Sequence, residues 1–115
     1  MSDITIWHLA RCTKSRQGLA LLRERGIEPA IRTYLTDPPS ETELRAAQKM
    51  LGLPAIAMMR TKEATFRELG LSRDSDEATL IRAMAENPVL IERPIVFRDG
   101  KAVIARPTEA ILTLL

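Results

Sequence analysis

Strand-type patterns occur only near the two ends of this 115-residue chain, and the long segment between them is patterned for helices. Residues 4–9 form a short apolar run that predicts a buried strand. A helix follows and ends at Gly26, and residues 30–35 then alternate as a second strand does. Two strands joined through a helix form a parallel pair with a right-handed crossover.

The other end of the chain predicts an antiparallel pair. Asp99-Gly100 is a strong signal for a two-residue hairpin between strands at residues 94–97 and 101–105. Pro94 stands at the first position of its strand, where a missing N–H is tolerated. Pro107 is well placed as the first residue of a closing helix that reaches residue 115.

The middle segment predicts helices only. Ser40 and Glu43 form a capping-box signature after Asp37-Pro38-Pro39, and this helix ends at Gly52. Residues 54–71 are expected to be helical in short pieces. A further helix is predicted from about residues 74–76 to residues 87–88. Its expected inner stripe includes Ala78, Ile81 and Met84.

The element order is therefore β-α-β, a helical insert at about residues 41–87, and β-β-α. A four-stranded mixed sheet with helices on its faces follows, which is an α/β, thioredoxin-like fold. The length suits one domain over residues 1–115.

Composition argues against several functional classes. A net charge of +2 without basic blocks, and only 3% aromatic residues, predict neither a nucleic-acid nor a membrane partner. One cysteine excludes an internal disulfide, and one His with one Cys cannot form a zinc site of usual composition. No secretory signal or long apolar run is seen, so a reducing cytoplasm is expected.

The single cysteine, Cys12, lies where the first strand gives way to the first helix. A sulfur at a helix N-terminus meets the positive end of the helix dipole and unpaired backbone N–H groups. Basic neighbours at residues 11, 14 and 16 act in the same direction, so we expect a thiolate well below the usual thiol pKa of about 8.5. The alternative is a buried structural cysteine.

Three arginines are candidate oxyanion ligands. Arg93 precedes Pro94 at the start of a strand, and Arg106 precedes Pro107 at the start of a helix. A guanidinium fixed beside a helix N-terminus suits a tetrahedral oxyanion. Arg60 is the third candidate. Because the chain has 17 Lys and Arg residues, each of these arginines could equally be solvated surface.

Two absences narrow the chemistry. Ser15 stands where a dithiol oxidoreductase carries its resolving cysteine, so an adduct on Cys12 requires an external thiol. Gly18 stands six residues after Cys12, where a cysteine phosphatase carries an arginine. A one-cysteine redox enzyme that takes electrons from another molecule fits better than a phosphatase.

Specific motifs extend along nearly the whole chain. They are Ile4-Thr5-Ile6-Trp7-His8, Arg11-Cys12, Ser15-Arg16, Tyr34-Leu35, Pro38-Pro39, Arg60, Glu68-Leu69-Gly70-Leu71, Pro88, Ile91, Arg93-Pro94-Ile95-Val96 and Arg106-Pro107. In these motifs the chain resembles the glutaredoxin-dependent arsenate reductases of bacteria, which have a thioredoxin-like fold. A cis proline is usual at the place of Pro94 in this fold, and the sequence leaves open whether Pro94 is cis.

The resemblance also implies roles for single residues. Cys12 is the implied nucleophile, and His8 helps to hold its thiolate. Substrate contacts are implied for Arg60, Arg93, Arg106, Thr13, Lys14 and Ser15. The implied reaction reduces arsenate to arsenite with glutathione as co-substrate and glutaredoxin as partner, without a bound cofactor or metal, and we expect a monomer.

The chain departs from the family beside the site. Leu9 and Ala10 replace an Asn-Pro pair, so an amide donor and a rigid ring are missing. His8 could equally have a structural role at the strand end. Two other functions remain open: a glutathione-linked thiol oxidoreductase with another substrate, and a non-catalytic regulatory binding module of the same fold.

Overall fold

A computed structural model describes residues 4–115. Four strands form one sheet in the order β2-β1-β3-β4. Their bounds are Ile4–His8 (β1), Ala30–Thr33 (β2), Ile95–Arg98 (β3) and Lys101–Ile104 (β4). β1 is parallel to β2 and antiparallel to β3, and β3 is antiparallel to β4. The predicted four-stranded mixed sheet of a thioredoxin-like α/β fold is therefore confirmed.

The helices follow the predicted order. Their bounds are Thr13–Glu24 (α1), Glu41–Leu51 (α2), Ala64–Glu68 (α3) and Glu77–Glu86 (α4). Shorter 3₁₀ helices cover Ala55–Met58, Pro88–Leu90 and Thr108–Leu114. Among residues 4–115, no helix has the length and apolar character needed to cross a membrane.

The described residues fall into two compact units. The first contains the sheet and α1, and consists of the chain up to Asp37 together with Arg93–Leu115. The second consists of Pro38–Glu92 and contains α2, α3 and α4. The single domain over residues 1–115 remains a prediction.

The first unit has an aliphatic core between the sheet and α1. Its buried members are Ile4, Ile6, Leu22, Val96, Ala105 and Ile111. Gly18 allows α1 to approach closely, because a Cβ at this position would lie 3.1 Å from Pro94 Cγ and 3.4 Å from Ile111 Cδ1. Gly18, which stands where a cysteine phosphatase carries an arginine, therefore also permits the close packing of α1 against Pro94.

Local signals placed the ends of several elements correctly. Ser40 and Glu43 form the predicted capping box at the start of α2, and Gly52 ends that helix with a φ of 68°. Asp99 and Gly100 adopt φ values of 51° and 76°, as a tight hairpin turn requires. The Arg93-Pro94 peptide, which the sequence left open, is cis.

Two details differ from the predictions. Ala78 is exposed, whereas Ile81 and Met84 are buried as predicted, and α4 also buries Leu80 and Ala83. Leu80 lies four residues before Met84, so the two side chains share one face of the helix. Leu80 is also larger than Ala78, so burying it removes more apolar surface from water. The closing helix is a 3₁₀ helix that starts after Pro107, which is its N-cap residue with extended ψ, and not its first helical residue.

Candidate active site

Cys12 is the N-cap residue of α1 and has an extended backbone (φ −91°, ψ 123°). Its carbonyl accepts a hydrogen bond from the Arg16 N–H at 3.0 Å, which starts the helix. Its own N–H donates to the Leu9 carbonyl at 2.9 Å. The N–H groups of the first turn have no carbonyl partner within the helix, so they are available to the sulfur.

Burial raises the pKa of Cys12, but three groups more than offset it. The backbone N–H of Ser15, the guanidinium of Arg93 and the backbone N–H of Lys14 lower the pKa of this thiol to about 7. Hydrogen bonds and a nearby positive charge favour the thiolate over the thiol. Cys12 is therefore more ionised at neutral pH than an ordinary cysteine, and the thiolate is the state that attacks electrophiles.

The two predicted Arg-Pro arginines of the first unit lie at this sulfur. Arg106 Nη2 is 3.9 Å from Cys12 Sγ, and Arg106 Nε donates to the backbone carbonyl of Arg93 at 2.8 Å. Arg93 also forms a side-chain hydrogen bond with Cys12. The fold therefore brings two guanidinium groups to a sulfur that precedes both arginines by more than 80 residues in sequence.

Arg93 is held in place with part of its hydrogen-bonding capacity unused. Burial lowers its pKa, but side-chain hydrogen bonding to Cys12 and the interaction with Tyr34 raise that pKa overall. Within residues 4–115, the buried Nε and Nη1 atoms of Arg93 have no hydrogen-bond partner. Buried donors are normally paired, so these two atoms leave Arg93 with capacity for a further acceptor.

The positive charge that stabilises the thiolate comes from a different residue than the sequence predicted. Basic neighbours in sequence were predicted to lower the pKa of Cys12, but Arg93 is the cation that does so. Arg16 is directed to other atoms: its Nη1 donates to the Ala10 carbonyl at 2.9 Å and its Nη2 to Thr13 Oγ1 at 3.2 Å. These two contacts hold the Arg16 guanidinium at the loop before Cys12 and at the first turn of α1.

Thr13, Lys14 and Ser15 form the first turn of α1. Thr13 and Lys14 are exposed, whereas Ser15 is fully buried and its Oγ accepts a hydrogen bond from the Leu9 N–H at 3.3 Å. This contact fixes the backbone of the loop before Cys12. Because Arg16 also binds the Ala10 carbonyl, the backbone of Leu9-Ala10 is anchored without the Asn-Pro pair of the resembling family.

His8 ends β1 and is only 6% exposed. Burial is the main cause that lowers the pKa of His8, followed by the positive charges of Arg23 and Arg16. The imidazole is therefore neutral at pH 7. Its contribution to holding the thiolate remains a prediction from the family resemblance.

Arg60 belongs to the second unit. Its Nε is 3.1 Å from Glu63 Oε2 and its Nη1 is 3.3 Å from Glu92 Oε1. Its backbone N–H donates to the Leu90 carbonyl at 2.7 Å, beside a bridge between Met59 and Ile91. A guanidinium has five donors, so these two ion pairs leave capacity for another ligand.

Tyr34 is the residue of this site that sequence reasoning gave no role. It follows β2, is fully buried, and interacts with the Arg93 guanidinium. The available signal was a lone tyrosine directly after a strand in a chain with 3% aromatic residues. Within the described part of the chain, no group of three or more His, Cys, Asp and Glu side chains could hold a metal ion.

Comparisons with known proteins assign the family. The ArsC family model matches residues 7–114. The chain belongs to the ArsC family. An arsenate reductase of Neisseria meningitidis serogroup A is 46% identical over 117 residues, with 100% of both chains covered. YfgD of Escherichia coli K12, whose name gives no activity, is 46% identical and covers 97% of this chain and 96% of its own.

The solved structure of an arsenate reductase from Vibrio cholerae has the same fold as this ArsC-family chain. It superposes with a TM-score of 0.96 at 44% identity and covers 99% of this chain and 98% of its own. The family implied by the sequence motifs and its thioredoxin-like fold are both confirmed.

Proposed function

We propose that this protein is an arsenate reductase that uses Cys12 as nucleophile and takes its electrons from glutathione and glutaredoxin. The observation that carries the proposal is a sulfur with a pKa of about 7 beside two arginines, of which Arg93 has unpaired buried donors. Membership of the ArsC family and arsenate reductases at 46% and 44% identity support arsenate as the substrate.

In the proposed binding step, Arg93 and Arg106 hold arsenate against the sulfur. Their guanidinium groups neutralise the negative charge that would otherwise repel a thiolate. The family resemblance adds Arg60 as a third ligand, which would use the donors that its two carboxylate partners leave. The exposed Thr13 and Lys14 and the backbone of Ser15 complete the proposed pocket around the first turn of α1.

In the proposed chemical steps, the Cys12 thiolate attacks arsenic(V) and forms an S–As bond while one oxygen leaves as water. Glutathione then binds to arsenic through its sulfur and expels a second water. A glutaredoxin thiolate attacks the glutathione sulfur and forms a mixed disulfide. This attack breaks the bond between the glutathione sulfur and arsenic. The electron pair of that bond stays on arsenic, which becomes arsenic(III). Hydrolysis of the remaining bond to the Cys12 sulfur then releases arsenite.

The direct test is oxidation of NADPH coupled through glutathione reductase, glutathione and glutaredoxin, with arsenate as the variable substrate. Wild-type protein is expected to turn over only when arsenate is present. Cys12→Ser is expected to reduce this turnover by about 10³-fold or more, because no thiolate remains. Circular dichroism checks that the variant keeps its fold.

The same assay separates the two alternatives. A wild-type protein that reacts with glutathione and alkylating agents, but shows no arsenate-dependent turnover, would be a thiol oxidoreductase with another substrate. A protein with neither activity would be a binding module. Either result would contradict the proposal.

A further inference from the structure

Tyr34 lies at the same edge of the sheet as the candidate active site. At this edge Thr33, the last residue of β2, pairs with His8, the last residue of β1. Trp7 pairs with Ile95, the first residue of β3. The segments that follow β2 and β1 and the segment that precedes β3 therefore leave the sheet side by side. They carry Tyr34, Cys12 and Arg93.

β1 lies between the strand that leads to Tyr34 and the strand that follows Arg93. β2 and β3 flank it in the sheet, and neighbouring strands are about 4.8 Å apart, so β2 and β3 are separated by about 10 Å. The Arg93 guanidinium nevertheless interacts with the Tyr34 side chain. Two long side chains therefore meet over the end of β1, which is the end from which the loop to Cys12 starts.

The hydroxyl of Tyr34 is a polar group in a buried position. The residue is fully buried, and a buried hydroxyl costs stability unless a polar partner compensates for the water it has lost. A phenylalanine would fill the same space without that cost. The phenol oxygen can accept a hydrogen bond, and a guanidinium has donors only, so the two groups are complementary. The hydroxyl therefore indicates a role beyond packing.

Arg93 is held at its backbone and at its guanidinium. Arg106 Nε donates to the Arg93 carbonyl at 2.8 Å, which fixes the backbone of this residue. The guanidinium interacts with both Cys12 and Tyr34. An arginine side chain has many rotamers, so a fixed backbone leaves the direction of the guanidinium open. The contact with Tyr34 limits that direction.

We propose that Tyr34 is a positioning residue for Arg93: its buried hydroxyl holds the guanidinium in the orientation that meets the Cys12 sulfur. Tyr34 acts on the thiolate only through Arg93. Without the hydroxyl, the charge of Arg93 is kept, but its guanidinium can adopt other rotamers and attracts the thiolate less on average. The inference concerns the free protein, and only its consequence for arsenate rests on the proposed function.

The test is the alkylation of Tyr34→Phe by iodoacetamide as a function of pH. This variant keeps the ring and removes the hydroxyl. The midpoint of alkylation is expected to rise above about 7. At pH 6 the rate, relative to its plateau at high pH, is expected to be about two- to threefold lower than in wild type, because the rate follows the thiolate fraction. An unchanged or lower midpoint in a folded variant would overturn the proposal.

A structural role of Tyr34 is separated from a positioning role by a matched packing variant. Ile4→Val removes a buried methyl group at the opposite end of β1 and touches no polar contact of the site. It is expected to keep the wild-type midpoint. If it shifts the midpoint as much as Tyr34→Phe does, the effect is a general loss of packing and the proposal is wrong. Urea unfolding shows that both variants are folded.

The route through Arg93 is tested by a double-mutant cycle. In an Arg93→Ala background, Tyr34→Phe is expected to cause no further change of the midpoint, because the residue that it positions is absent. A further rise as large as that in the wild-type background would show that Tyr34 acts without Arg93, which would overturn the proposal.

A second measurement keeps the hydroxyl in place. Tyr34 is the one tyrosine of the chain, so 3-fluorotyrosine labels this position alone. Its fluorine resonance is expected to move in Arg93→Ala and to stay at the wild-type position in Arg82→Ala, an exposed residue of α4. An unchanged resonance in Arg93→Ala would overturn the proposal even if Tyr34→Phe does not fold.

Within the proposed function, Tyr34→Phe is also expected to lower kcat/KM for arsenate about three- to tenfold, since Arg93 meets the developing charge less often. Ile4→Val is expected to leave it unchanged. The two proposals fail separately. Wild-type protein without arsenate turnover would contradict the proposed function while alkylation still tests Tyr34, and an unshifted midpoint in an active enzyme would contradict only the role of Tyr34.

Discussion

The N-termini of α1 and α2 show two uses of the same structural element. At α2, Ser40 Oγ accepts a hydrogen bond from the Glu43 N–H at 3.1 Å, and the Glu43 carboxylate accepts one from the Ser40 N–H at 3.0 Å. The positive helix end is therefore satisfied by its own residues. At α1, Cys12 occupies the same position, and the first turn carries no acidic side chain.

This difference separates a structural helix end from a reactive one. A carboxylate in the first turn of α2 neutralises the helix dipole, whereas at α1 the N–H groups of Ser15 and Lys14 lower the pKa of a sulfur. Arg93, which is distant from Cys12 in sequence, then adds a positive charge beside the sulfur. A helix N-terminus thus supplies part of the stabilisation of the thiolate, and a long-range contact supplies the rest.

The largest expected effect within this comparison comes from removing the long-range charge. Arg93→Ala is expected to raise the Cys12 pKa above about 7 and to lower kcat/KM for arsenate about 10²-fold, since one donor to the developing charge is lost. Arg93→Lys keeps a charge but not the fork of donors, so it should recover part of the pKa and little of the turnover.

The control for this variant is Arg82→Ala, at an exposed position of α4. It is expected to change neither the alkylation rate of Cys12 nor the arsenate assay. An Arg93→Ala protein that is folded and alkylated with the wild-type pH profile would show that the helix end alone sets the pKa.

A smaller effect is expected from making α1 resemble α2. Lys14→Glu places a carboxylate in the first turn of α1, where α2 has Glu41 and Glu43. The new charge competes with the thiolate for the helix end and should raise the Cys12 pKa by about 0.3. The pH midpoint of alkylation measures this shift, with Lys101→Glu in β4 as the control. An unchanged or lower midpoint would contradict the comparison.

The smallest effect on the site is expected at α2. Ser40→Ala removes the cap and should cost about 1 kcal/mol of unfolding free energy, measured with urea, while Cys12 alkylation stays unchanged. Thr42→Ala, in the same turn but not a cap, should cost clearly less. A Ser40→Ala protein with a shifted alkylation midpoint would mean that the two helix ends are coupled.

The parts of the structure that follow from neighbouring residues could be predicted from the sequence. The capping box of α2, the Asp99-Gly100 turn and the position of Cys12 at a helix start each depend on a few adjacent residues. The prediction of the inner face of α4 was partly wrong, because it assigned Ala78 to this face and did not name Leu80. Periodicity alone did not distinguish the two positions.

Contacts between distant segments decided the rest. The residues near Cys12 in sequence do not indicate that Arg93 stabilises the thiolate, in place of the basic neighbours of Cys12. The role of Tyr34 beside Arg93 depends in the same way on how β2 and β3 are arranged on either side of β1. Arg93 and Arg106 were candidates from their Arg-Pro positions and from the resemblance to a known family, but the source of the pKa shift required the structure.

The most direct test of this account is the alkylation rate of Cys12 by iodoacetamide as a function of pH. The rate follows the thiolate fraction, so it should rise with pH through a midpoint of about 7. A midpoint near the ordinary thiol value of about 8.5 would contradict an activated sulfur at the α1 N-terminus.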